Sequence, residues 1–140
     1  MTFFKKTLRP GRDQTKTTLA LEEFRQVISS YPLSDEAKQA REKIQKCEEK
    51  LAEHTLHIGK VYYTMKAYKA STTRLIEILN NYPNYSRMDK AFFYLGDSYY
   101  RWKKTDQAIP YFTKVISDFP KSKYAKKAVK RMKEVEKIKK

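Results

Sequence analysis

Three aromatic–proline pairs, Tyr31–Pro32, Tyr82–Pro83 and Phe119–Pro120, set the frame of this chain. Proline lacks the amide hydrogen that a helix interior needs, and it pushes the residue before it out of the helical region, so each pair marks a helix end. The residues upstream of the three pairs agree position by position. Twelve before each proline stand the small residues Ala20, Ser71 and Ala108, and eight before stand Phe24, Leu75 and Phe112. Five and four before stand Val27–Ile28, Ile78–Leu79 and Val115–Ile116, and twenty-four before stand Leu8, Gly59 and Gly96. Apolar residues at such spacings line one face of a helix. Copies held in one phase define a repeat whose members bury their apolar faces against one another.

The last copy, Phe92 to Pro120, follows the tetratricopeptide pattern W-x2-L-G-x2-Y, then A-x3-F, then P, with Phe92 in place of tryptophan. Gly96 lacks a Cβ, so a second helix can lie close against the first, with Ala108 facing it and Phe112 filling the space below. The expected architecture is all-α, a tetratricopeptide-repeat-like α-solenoid of antiparallel helix pairs in a single domain over residues 1–140. Residues 1–18 read as an irregular segment, with a short helical turn around Phe3, Phe4 and Leu8, a Pro10–Gly11 break, an Arg12-to-Thr15 loop and an N-cap at Thr17 or Thr18. Residues 19–32 read as the second helix of an incomplete repeat, residues 33–83 as a repeat with an extended first helix, 84–120 as a complete repeat, and 121–140 as a basic capping helix.

The extended helix is expected over about residues 35–66, because Ser34 is a good cap and neither proline nor glycine interrupts the chain from Asp35 to Ile58. Further helices are expected over about residues 69–81, from a Ser86 cap at 87–103, and at 106–119 and 122–140. Pro110 should delete one hydrogen bond from its helix and bend it, or the helix should begin later.

Function is constrained first by charge. The net charge of +15 implies an acidic protein, an anionic membrane surface or nucleic acid as partner. No run reaches the roughly 18 apolar residues of a membrane span, and the N-terminal sequence lacks the apolar core of a signal peptide. The single cysteine, Cys47, excludes an internal disulfide and reads as a small buried hydrophobe on a helix stripe. His54 and His57 have neither an H-E-x-x-H motif nor a cysteine pair beside them, and they read as helix-surface residues rather than metal ligands. There is no phosphate loop and no nucleophile elbow, so an enzyme is not expected and no cofactor is implied.

The first helices of a repeat array line its concave groove, which should receive Tyr63, Phe93, Tyr100, Arg101 and Lys60. Aromatic and arginine side chains are common interface anchors, although aromatics at these positions serve equally well as packing between repeats. The last helix, with lysine and arginine far outnumbering glutamate after residue 120, reads as a solvated outer face or as a contact for anionic lipid headgroups. Nucleic acid is not expected, because no recognised nucleic-acid motif occurs and salt-sensitive non-specific binding is common to all strongly basic chains.

The residues Arg12 to Thr15, Ala20 to Phe24, Leu51 to His54, Tyr62, Tyr63, Ala67 to Ala70 and Arg74 together resemble the BamD (ComL-like) family of outer-membrane assembly lipoproteins. The resemblance covers about residues 9–135 and rests on the R-D-Q-T segment and the extended helix, which generic tetratricopeptide proteins lack. Lys66 stands where the family often has glycine. The resemblance implies a non-catalytic scaffold at the periplasmic face of the outer membrane. It would dock on the periplasmic domains of the barrel assembly protein, alongside other lipoproteins of the complex. It also implies that the chain is part of a longer, lipid-anchored protein, and that Arg74 faces an acidic residue of the partner. The alternative is another tetratricopeptide adaptor, periplasmic or cytoplasmic, holding peptides or proteins in its concave groove.

Overall fold

The computed structural model describes residues 11–139 and consists of six helices: α1 (Gly11–Ser30), α2 (Asp35–Thr64), α3 (Tyr68–Asn81), α4 (Met88–Arg101), α5 (Thr105–Asp118) and α6 (Lys123–Lys139). No strand occurs among the described residues. The expected helical turn around Phe3, Phe4 and Leu8 lies outside them. The chain is all-α, with helices packed in sequential pairs in the tetratricopeptide manner. It gathers into two compact units that divide between His54 and Thr55, inside α2.

In the first unit, α1 pairs with the first part of α2. Leu21, Ala37, Ala40, Leu51 and Ala52 are buried, Lys43 lies over the Phe24 ring at 5.7 Å, and Arg25 meets Glu48 at 3.5 Å. The expected Arg12-to-Thr15 loop is instead helix, and neither Thr17 nor Thr18 is a cap. The physical reason is local: after Gly11 no proline occurs before Pro32, and one glycine in a first turn costs only about 1 kcal/mol. Ser34 caps α2 as expected, its Oγ accepting the Ala37 amide hydrogen at 3.0 Å. Cys47 is half-buried rather than fully enclosed.

In the second unit, the last turns of α2 pack on α3. The Ser71 hydroxyl donates to the Gly59 carbonyl at 2.8 Å and lies 3.1 Å from the Ser98 hydroxyl of α4. Here small residues let three helices approach, and both serines are fully buried with their hydroxyls bonded. In the next pair a Cβ placed on Gly96 would fall 2.9 Å from the Phe112 ring, which is the close approach the repeat pattern requires. The core of this unit is Leu56, Leu75, Ile78, Leu95, Phe112, Val115 and Val135.

From α2 onward, helix boundaries fall within one or two residues of expectation, with two local differences. Ser86 does not cap α4, because Arg87 occupies the N-cap position and no side chain bonds there. Pro110 does not delay α5, which begins at Thr105 and runs through it. Pro110 has no amide hydrogen to donate to Asp106, the residue four before it, and both residues lie on the exposed side of α5.

The two turns that join α2 to α3 and α4 to α5 are built alike. In the first, the Lys66 amide donates to the Tyr63 carbonyl and the Ala67 amide to the Tyr62 carbonyl; in the second, Lys103 donates to Tyr100 and Lys104 to Tyr99. This is the Schellman pattern, which requires a left-handed residue just past the helix. Lys66 (φ 63°) and Lys103 (φ 67°) fill that position, where glycine fits without strain.

Candidate functional site

α4 carries an aspartate where its apolar face should continue. Asp97 is fully buried between Gly96 and Ser98, which are buried themselves. A buried carboxylate is tolerated only if it is paired and hydrogen-bonded, and Asp97 is supplied from three helices. Arg131 of α6 donates its Nε to one oxygen at 2.6 Å. Arg101, one turn along α4, donates its Nε to the other at 3.1 Å, and the Tyr63 hydroxyl of α2 donates to that same oxygen. Arg101 Nε also reaches the Tyr63 oxygen at 2.9 Å. Glu134 extends the network by accepting from the Tyr100 hydroxyl at 2.9 Å and from Arg131 at 3.4 Å.

The electrostatics come from this placement. Burial, then the hydrogen bond to Asp97 and its charge, push the Tyr63 phenol up to about 12. Its proton is therefore held at all physiological pH. The hydrogen bond to Asp97 also holds the Arg101 guanidinium above its ordinary value, against the opposing effect of burial. Burial and Glu134 raise Tyr100.

Of the residues expected in the groove, Tyr63, Tyr100 and Arg101 are thus brought together, but as members of an intramolecular network. Phe93 is 4% exposed, with its ring 6.0 Å from Phe112 and 5.6 Å from Tyr124. Its edge still lines a cleft of about 290 Å³ with Tyr63, Tyr94, Asp97, Lys127 and Lys130. Lys60 lies 5.5 Å over the Tyr94 ring. Sequence reasoning missed Asp97 and Arg131; the available signal was a carboxylate set within the otherwise apolar face Phe92 to Tyr99.

Arg74 sits elsewhere. It is half-exposed on α3, paired only loosely with Glu77 at 3.5 Å, and it lines an open cleft of about 720 Å³. Tyr62, Tyr68 and Trp102 give that cleft apolar walls, and Lys66 and Lys69 add charge. Trp102 ends a run of stacked rings: it lies parallel to Tyr99 (6.1 Å, 15°), which stacks on Tyr111 (5.8 Å, 7°), which stacks on Phe92 (6.4 Å, 22°). A guanidinium with a spare donor edge, rigid aromatic rings and a shallow concave shape are the ingredients of a protein-docking surface.

Sequential antiparallel helix pairs, phased prolines and the close approaches of Gly59 to Leu75 and Gly96 to Phe112 define a tetratricopeptide-type helical repeat protein. Within that class the family is shown by the sequence: residues 1–108 match the YfiO outer membrane lipoprotein family, to which the chain belongs. Among curated proteins it is 28% identical over 114 residues to the outer membrane protein assembly factor BamD of Rickettsia prowazekii, covering 81% of this chain and 45% of that one. The BamD of Haemophilus influenzae is 27% identical over 115 residues, covering 82% and 43%. The BamD of Caulobacter vibrioides is 29% identical over 97 residues, covering 69% and 32%. The chain therefore spans less than half the length of these relatives. Among the described residues no helix is long and apolar enough to cross a membrane.

Proposed function

We propose that this chain is a non-catalytic docking module of the machinery that assembles β-barrel proteins in the outer membrane. It would act at the periplasmic face and bind the periplasmic domains of the barrel assembly protein through the Arg74 cleft. The observation that carries the reading is the family match over residues 1–108, which contain Arg74 and all but the last helices of the second unit. The cleft supports it: Arg74 presents a fork suited to a carboxylate beside Trp102 and Tyr68, so one charged contact would be flanked by large apolar area. The test is co-purification with the isolated periplasmic domains at low salt. Arg74→Glu should weaken binding at least about tenfold through charge reversal at a partly desolvated pair. Unchanged affinity would remove Arg74 from the interface, and no binding of the unaltered chain would sink the reading.

The adaptor reading, in which peptides fill the groove, has less support because the Tyr63 and Tyr100 hydroxyls are already spent on Asp97 and Glu134 and Phe93 is packed against Phe112. At the membrane, the exposed lysines Lys123, Lys126, Lys130, Lys133 and Lys137 share one face of α6 and suit an anionic surface. Sedimentation with phosphatidylglycerol vesicles should be strong in low salt and lost in high salt; equal sedimentation with neutral vesicles would count against it.

A further inference from the structure

The two strained lysines, Lys66 and Lys103, open into one cleft. It has a volume of about 750 Å³ and is lined by both lysines together with Arg101, Tyr68, Tyr100 and Ile138. Backbone strain that the sequence could relieve with glycine points to a function for the side chain retained there. Here it occurs twice, at equivalent positions of two successive repeats, and both side chains are cationic and exposed. Among the described residues neither lysine makes an ion pair.

Arg101 completes the set. Asp97 and the Tyr63 hydroxyl hold it by its Nε edge, which fixes the plane of the guanidinium. Among the described residues its two terminal nitrogens have no hydrogen-bond acceptor, so a pre-oriented fork is left for an incoming anion. The rest of the lining is the rings of Tyr68 and Tyr100, Thr105, and Ile138, which is 65% exposed. The volume falls within the range of roughly 300–1,000 Å³ usual for ligand sites.

We propose that this cleft, formed by Lys66, Arg101 and Lys103, is a second binding site, which takes a short acidic peptide segment of a protein partner. A carboxylate is held by the arginine fork and the two lysines, and a neighbouring aliphatic side chain covers Ile138. A bare inorganic anion would leave the apolar wall wet. A flat lipid surface would not enter a cleft between helix ends. The site does not depend on docking at Arg74: the two clefts share Lys66 and Tyr68, but Arg101 and Lys103 line only this one.

The probe is a fluorescein-labelled hexapeptide of alternating glutamate and leucine, measured by anisotropy at low salt, with a lysine–leucine peptide as control. The acidic peptide should bind and the basic one should not. Lys103→Gly should weaken binding about three- to tenfold while leaving the melting temperature equal or higher, because glycine relieves the left-handed turn. Opposite movements of affinity and stability from one substitution are not expected of a merely structural lysine. Arg101→Gln should cost tenfold or more, and Arg74→Glu should leave peptide binding within about twofold, which separates this site from the docking face. Unchanged binding in Lys103→Gly, or equal binding of the two peptides, would overturn the proposal. So would phosphatidylglycerol vesicles competing for the same residues more tightly than the peptide, since the occupant would then be a lipid.

Discussion

Replacing Asp97 by alanine asks whether the buried carboxylate is a strut between α2, α4 and α6. It accepts from two arginines and one tyrosine while fully enclosed, and breaking such a pair typically costs about 3–5 kcal/mol. The lower end applies here, because the stranded side chains of Arg101 and Arg131 are 42% and 25% exposed and recover part of their hydration. The expected loss is therefore about 3 kcal/mol, or roughly 10–15 °C in melting temperature for a chain of this size. Asp97→Asn keeps an acceptor and the volume but drops the charge, and should lose about half as much. Urea titration followed by circular dichroism measures both. A cycle combining Asp97→Ala with Arg131→Ala should show a coupling of about 1–2 kcal/mol. If Asp97→Ala costs less than about 1 kcal/mol, desolvation has cancelled the bonds and the strut does not exist.

The same network makes stability sensitive to alkali. The Tyr63 pKa is raised in the folded state to about 12, so its contribution is whole below the ordinary tyrosine value near 10 and is lost as pH rises through 12. Tyr63→Phe should flatten that part of the profile, and an unchanged slope would assign it to other groups. Gly96→Ala places a Cβ 2.9 Å from the ring of the fully buried Phe112, and should destabilise by about 1–3 kcal/mol. Adding Phe112→Leu should recover part of the loss in a thermal melt, and no recovery would mean that the strain lies in the backbone.

The repeat was legible because its signals are local. Prolines, small residues and apolar spacings state where helices end and which faces meet, and Ser34 announces its cap. The first turns of α1 were hidden because Pro10–Gly11 and Arg12 to Thr15 contain turn formers that a helix also accepts at its start. The polar network was harder to foresee for a different reason. Whether Asp97 is solvated or buried depends on Arg131, thirty-four residues away on another helix, and no local pattern reports that distance. Tyr63 shows the same limit: its spacing gave the face, but its hydroxyl found a carboxylate inside the protein. The turn lysines were visible as residues but not as strained ones, because φ is set by the closing hydrogen bonds of each helix.

The stacked run that ends at Trp102 has a practical consequence. The chain has a single tryptophan and eleven tyrosines, so excitation anywhere among the stacked rings drains to one emitter. That emitter lines the Arg74 cleft, has the Lys104 ammonium 4.1 Å above its ring, and does not line the Lys103 cleft. The molecule thus carries its own optical label on one of two adjacent sites. A partner that settles against Arg74 should change the colour and lifetime of the emission, and a peptide held by Lys103 should leave both largely as they were.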